Sequence, residues 1–242
     1  MTLALFLVDA LPAGPEFVLD GPEGHHAATV ARLRAGEELL LSDGRGGTAT
    51  AVVTAVGRGS LDLSISSRGY ARAPDPRLVV VQGIAKGERG ELAVQAMTEV
   101  GVDEVVPWAA ARSVVRWQGE RGERARQRWA ATAREAAKQS RRPWLPSVSD
   151  PVPTAGVAGR LAAAAAAYVL HEEAASRLAA VPLPASGEIV LVVGPEGGVA
   201  AEELAAFGAA GAVPARLGDA VLRTSTAGVA ALAVLSARLG RW

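Results

Sequence analysis

From Leu78 onward the chain alternates short apolar runs with stretches of helical period, and this alternation constrains the fold more than any other feature. Leu78–Val81 is a buried-strand run. Glu91–Val100 follows with helical spacing, its apolar Leu92, Val94, Ala96 and Met97 stopped by Gly101. Val102–Pro107 reads as a second strand and Glu120–Gln139 as a long basic helix that breaks before Pro143. Tyr168–Leu170 and Ile189–Val193 are further short strands, and Ala200–Phe207 and Thr224–Leu239 are helices. Such a series predicts an α/β fold with a mostly parallel sheet and helices on both faces. The Ala162–Ala167 run has no usable period and stays unassigned.

The first 72 residues follow another pattern. Leu3–Val8 is apolar, Leu39–Gly44 ends in a turn signal, Thr48–Val56 is β-branched, and Leu61–Ile65 alternates with period two. His26–Leu33 reads as one short helix among these strands, which together suggest a small β-barrel. Arg72-Ala73-Pro74-Asp75-Pro76 is the best linker, because both prolines favour extended or turn backbone. It divides the chain into domains at 1–72 and 73–242.

Two glycine-punctuated loops carry the strongest functional signal. Val192-Val193-Gly194-Pro195-Glu196-Gly197-Gly198 follows a strand-like run, and Leu217-Gly218-Asp219-Ala220-Val221-Leu222-Arg223-Thr224 precedes the last helix. Junctions of this kind place backbone N–H groups in the crevice at strand ends, where open α/β sheets bind ligands. The glycines let backbone approach a ligand closely. Glu196, the one charge of the first loop, is suited to accepting hydrogen bonds from ligand hydroxyls or to capping a helix. Thr224 is a good N-cap, with Ser225 and Thr226 as alternatives. Arg223 places a cation at a helix N-terminus, where the macrodipole prefers an anion. That points to an anionic partner or a developing negative charge; the plain alternative is a surface arginine paired with Asp219. Neither the dinucleotide fingerprint nor a P-loop is present.

Composition narrows the classes further. Without cysteine there are no disulfides or thiolate metal sites, and three histidines make a zinc site a poor expectation, so no metal is expected. The beginning, Met1–Asp9, reads as a strand rather than a signal peptide, and no apolar span is convincing as a membrane crossing, so the expected setting is cytoplasmic, with no membrane partner. Net charge is zero, yet ten basic residues and three acids lie between Arg112 and Arg142. That segment offers a polyanion one cationic face, unless it is simply a solvated helix.

Read together, these residues resemble the RsmE family of the SPOUT superfamily. His26, Val30, Arg32, Gly36, Asp43 and Gly44 fit its N-terminal pattern. Lys86-Gly87-Glu88-Arg89 with Gln95 and Glu99-Val100-Gly101-Val102 resembles its next stretch, followed by Arg112-Ser113-Val114 and by Gln139-Ser140, Arg142 and Pro146. Gly194–Gly198 and Leu222-Arg223-Thr224 are the most specific elements. Lys138 departs from the family pattern where an acid is expected, and Ser225 where Glu is common.

The resemblance implies a PUA-like barrel, a trefoil-knotted methyltransferase domain, a homodimer, and S-adenosylmethionine-dependent methylation of uridine N3 in 16S ribosomal RNA. It assigns the cofactor to His171, Glu172, Val193, Gly194, Pro195, Glu196, Gly197, Gly198, Leu217, Gly218, Leu222, Arg223 and Thr224. RNA contacts fall to Arg32, Lys86, Arg112, Gln139 and Arg142. A fixed cation is needed to stabilise the uracilate, and the candidates are Arg223 first, then Arg142 or Lys86. A SPOUT enzyme with another target, such as a ribose 2′-oxygen, and a non-catalytic RNA-binding or ribosome-assembly protein remain as alternatives.

Overall fold

The computed structural model describes residues 3–242. The chain forms two compact units, Met1–Ala73 with Ala137–Leu145, and Pro74–Ala136 with Pro146–Trp242.

In the first unit, strands β1 (Ala4–Leu7), β2 (Glu16–Leu19), β3 (Glu38–Ser42), β4 (Gly47–Val56) and β5 (Leu61–Tyr70) form one sheet in the order β1-β3-β4-β5-β2. Only β1 with β3 is parallel. Alternate residues of β4, Ala49, Ala51 and Val53, turn inward, and Phe6 of β1 and Leu19 of β2 reach the same buried cluster. The two outermost strands thus wrap one core, as a small barrel requires.

Helix α1 (Gly21–His25) runs directly into a π turn at His26–Val30. Helical structure therefore starts five residues ahead of the expected His26. Pro22 explains the start, since its fixed φ suits a first helical turn. The return segment 137–145 pairs with this unit through backbone: Gly46 N–H donates to Pro143 O at 2.8 Å and Leu145 N–H to Gly44 O at 3.0 Å. Gly46, at φ +93°, has no room for a side chain, because a Cβ would fall 2.8 Å from the Trp144 ring.

The second unit is built on seven strands: β6 (Arg77–Gly83), β7 (Glu104–Trp108), β8 (Ser147–Val148), β9 (Ala166–Leu170), β10 (Ser176–Arg177), β11 (Glu188–Val193) and β12 (Val213–Arg216). Their order is β10-β12-β9-β11-β6-β7-β8, and every pair is parallel. The helices are α2 (Arg89–Glu99), α3 (Gly119–Gln139), α4 (Thr154–Ala163), α5 (Ala201–Ala209) and α6 (Thr224–Arg238).

Both faces of the sheet are covered, which is why β6, β7 and β11 read as continuous apolar runs. Leu78, Val80, Ile189 and Leu191 pack with Met97 of α2, Trp129 of α3 and Leu232 of α6. Val79, Val81, Val190 and Val192 pack with Val157 of α4 and Phe207 of α5. The alanine run resolves into the end of α4 and the start of β9. At the amino ends of the strands, Arg160 holds Glu104 at 2.7 Å and Glu188 at 3.1 Å, and Arg77 joins both carboxylates. The carboxyl ends of β6, β9, β11 and β12 are left to form the site.

Candidate active site at the strand carboxyl ends

Three chain segments leave the sheet at these ends and meet around one cavity of about 500 Å³. His171 and Glu172 follow β9. Val193, Gly194, Pro195, Glu196, Gly197 and Gly198 follow β11. Leu217, Gly218, Leu222, Arg223 and Thr224 lie between β12 and α6. Every residue that the sequence pointed to for cofactor binding thus lines the same cavity. Leu170, Val199, Ala215, Arg216, Ala227 and Arg89 complete much of the wall. Val199 continues the first loop, whereas Leu170, Ala215 and Arg216 belong to strands and Arg89 and Ala227 to helices, whose residues carry no loop signal in the sequence.

The first loop is a tight turn closed by Gly198 N–H donating to Pro195 O at 2.9 Å, with Gly198 at φ +73°. Gly83, at the end of β6, lies directly under it: a Cβ there would come within 2.5 Å of Pro195 N and 2.9 Å of Gly194 C. Glu196 points away from the role of ligand acceptor. Its Oε1 accepts from Lys86 N–H and from the Arg89 guanidinium, each at 3.0 Å. Burial pushes its carboxyl upward, but hydrogen bonds from its own backbone and from Lys86 N–H, with the Arg89 charge, outweigh that and hold it below the usual carboxylate range. Glu196 therefore ties the turn to the start of α2.

The second loop delivers the N-terminus of α6. Arg223, not Thr224, is the N-cap, with φ −69° and ψ 154°. Thr224 is the first helical residue, and its hydroxyl is used elsewhere: it donates to Gly194 O at 2.7 Å and accepts from Gln82 Nε2 at 2.8 Å. Asp219 does not pair with Arg223. It lies 3.6 Å from Arg216 and 3.8 Å from Arg177. Among the described residues the Arg223 guanidinium has no carboxylate partner, and it lines the cavity beside an unpaired helix terminus. The Arg223 side chain and the positive helix end thus both face a space suited to negative charge.

Arg112 is exposed and lines the cavity, donating to Gly197 O at 3.1 Å. The backbone at Ala111 is fixed by Glu203, which is buried and accepts from Ala111 N–H, Thr154 Oγ1 and Ala200 N–H at 2.8, 2.9 and 3.1 Å. The other cations expected here are placed differently. Lys86 contributes its backbone N–H to Glu196, while its exposed side chain does not line the cavity. Arg142 belongs to the first compact unit, with Arg32 and Gln139, and none of these three lines the cavity. Arg32 and Gln139 are exposed and Arg142 is half-buried. The basic segment is less free than its composition suggests, since Arg124, Arg126 and Arg128 pair with Glu120, Glu123 and Glu91. Lys138 is buried 3.1 Å from Glu23. No helix among the described residues is long and apolar enough to cross a membrane.

Comparison with known proteins gives this geometry a context. Residues 72–236 match the RNA methyltransferase domain family, and residues 19–66 match the RNA methyltransferase PUA domain. The chain is 47% identical to the ribosomal RNA small subunit methyltransferase E of Mycobacterium bovis over its full length and 94% of that protein. It is 30% identical to the protein of the same name from Bacillus subtilis over 92% of this chain and 90% of that one. A methyltransferase of Legionella pneumophila in complex with SAM superposes with a TM-score of 0.87 at 28% identity, covering 98% of both chains. The ribosomal RNA small subunit methyltransferase E of Neisseria gonorrhoeae bound to S-adenosyl methionine gives 0.84 at 25% identity, again over 98% of both.

Proposed function

This chain belongs to the RNA methyltransferase family, and from that premise we propose that it methylates N3 of a uridine in 16S ribosomal RNA with S-adenosylmethionine as donor. The observation that carries the reading is the convergence of residues 171–172, 193–198 and 217–224 on one cavity at the strand carboxyl ends. The wall suits the donor. Leu170, Leu217 and Leu222 offer apolar surface, Glu172 and the turn's backbone offer polar groups, and a Cβ on Gly218 would meet only open space. The donor supplies an activated methyl on a sulfonium.

The chain's own residues do the rest. Gly194–Gly198 holds the donor through backbone, at a distance set by the close fit over Gly83. Arg223 and the α6 N-terminus stabilise the uracilate that forms as N3 loses its proton to solvent, since both present positive charge without reorganising. Methyl goes to N3, the N3 proton goes to water, and the donor leaves as a neutral thioether. Arg32, Lys86, Arg112, Gln139 and Arg142 contact the RNA, whose affinity falls with salt. A homodimer, a trefoil-knotted chain path, the 1–72 and 73–242 domain roles and a cytoplasmic setting belong to the same reading.

The test is incubation of ribosomal RNA lacking the modification with labelled donor, followed by nucleoside analysis. Label on uridine N3 supports the proposal. Label on a ribose 2′-oxygen or another base refutes the target, and donor binding without transfer to any RNA points to a binding protein.

A further inference from the structure

Gln82 is wholly buried and, apart from Arg77 at the start of the strand, is the one polar side chain of β6. Its Nε2 donates to Thr224 Oγ1 at 2.8 Å and to Gly83 O at 3.2 Å. The Thr224 hydroxyl has one proton, and its 2.7 Å contact with Gly194 O spends it there. Toward Gln82 the hydroxyl is therefore an acceptor, which requires the amide nitrogen on that side. The consequence is a buried Gln82 Oε1 with no hydrogen-bond partner among the described residues. A leucine would avoid that penalty, so stability alone does not ask for an amide here.

Gln82 itself does not line the cavity, whereas Thr224 and Gly194 both do. We propose that Gln82 is a positioning residue of the donor site: by donating to Thr224 it directs the hydroxyl proton onto the Gly194 carbonyl and so fastens the Gly194–Gly198 turn to the first turn of α6. The proposal rests on reading the cavity as the donor site. It joins the end of β6, the turn and the helix through one directional chain of hydrogen bonds, and direction is what an isosteric substitution can reverse.

Gln82→Glu keeps the shape and changes the direction. When ionised, the introduced carboxyl only accepts, so Thr224 turns to donate to it and Gly194 O loses its donor. When protonated, it donates to Thr224 as the amide does. Burial favours the protonated form, so the change falls within an accessible pH range. The titratable groups on the surrounding elements are Arg89, Glu91 and Glu99 of α2, Glu104 of β7, Glu188 of β11, and Arg238 of α6, with Glu196 in the turn and Arg223 at the cap. Glu104 and Glu188 are engaged at the far ends of their strands. All of these are common to wild type and variant, so the ratio of the two affinities isolates position 82.

The experiment is calorimetric titration of S-adenosylmethionine into wild type, Gln82→Glu and Gln82→Leu at a series of pH values, with thermal unfolding recorded alongside. Gln82→Glu should approach wild type at the acid end and bind roughly tenfold more weakly at the alkaline end. Gln82→Leu should be weaker by a similar factor throughout, and Thr224→Ser should retain affinity where Thr224→Val loses it. A Gln82→Glu to wild-type ratio that does not change with pH overturns the proposal, even if Gln82→Leu fails to fold. Wild type that binds no donor at any pH sinks the reading of the cavity and the proposal with it, whereas normal wild-type binding with a flat ratio sinks the positioning role alone.

Discussion

Gly83→Ala tests the claim that the first glycine loop is held by steric fit. An added Cβ would sit 2.5 Å from Pro195 N, 2.7 Å from Pro195 Cδ and 2.9 Å from Gly194 C. Ordinary contact to carbon or nitrogen starts about 1 Å further out, and backbone atoms cannot rotate aside as a flexible side chain does. Gly83 is anchored on its other side by register with Trp108, and the next N–H, of Ile84, donates to Trp108 O at 3.0 Å. The turn must therefore move. Overpacking of this kind costs about 1–3 kcal/mol, which is roughly 3–10 °C in melting temperature for a unit of this size. The effect on function should exceed the effect on stability, because a displacement of about 1 Å at a donor-holding turn can cost on the order of 100-fold in turnover. Gly159→Ala is the control. Gly159 is exposed within α4 and an added Cβ meets nothing within 4 Å, so the substitution should stabilise by about 0.5–1 kcal/mol and leave donor affinity alone. Calorimetric donor titration and thermal melts on both variants decide the matter. Wild-type affinity and melting temperature in Gly83→Ala would refute the steric argument.

Arg223→Ala should lower turnover by about 100-fold or more while the melting temperature holds, because among the described residues the exposed guanidinium has no carboxylate partner to lose; single-turnover methylation measures it, and near-normal turnover removes Arg223 from the chemistry. Glu203→Ala should destabilise by about 3 kcal/mol or more, since three donors lose a buried acceptor; denaturant unfolding reads this directly. Glu196 has a lowered carboxyl pKa, so its anchoring is intact at neutral pH and is lost only as the pH falls through the folded-state value, below the ordinary 4.5. Donor affinity should therefore be level through neutral pH and drop in acid, and Glu196→Gln should flatten that acid limb.

The parts of the molecule legible in the sequence share a physical basis, which is that their signals are local. β6, β7, β9 and β11 announce themselves as short apolar runs because both faces of the sheet are covered. The two glycine loops are visible because the turn chemistry and the junction with a strand or helix are written in adjacent residues. β8 and β10 have two residues each, and β12 contains Pro214, so none presents a strand pattern. The return of 137–145 to the first unit is non-local, resting on backbone pairs to Gly44 and Gly46 nearly a hundred residues away. The same is true of Glu196, whose partners Lys86 and Arg89 lie more than a hundred residues earlier and turn an apparent ligand acceptor into a structural tie. Gln82 is the extreme case, a polar residue inside an apolar strand whose meaning depends on Thr224, 142 positions later.

The two departures from the family pattern separate on the same physical grounds. Lys138, found where an acid is expected, is buried with its Nζ 3.1 Å from Glu23 Oε1, so the charge is matched locally within the first unit. Ser225 has no such compensation. It is the second residue of α6, is buried, and introduces no charge where the family commonly carries a carboxylate. A carboxylate there would sit at the positive end of the helix, two residues after Arg223, and would offset both. With serine in its place, neither Arg223 nor the helix terminus is neutralised from within α6, and Asp219 is committed to Arg177 and Arg216. The positive potential is left for whatever enters the cavity. This favours catalysis by stabilising an anionic base rather than by a carboxylate that removes the proton. Arg223→Ala should then cost more in this chain than in a relative with Glu at the position of Ser225, and the mutant's turnover should recover as pH rises toward the ionisation of uracil N3. An Arg223→Ala enzyme whose remaining activity does not respond to pH would contradict that assignment.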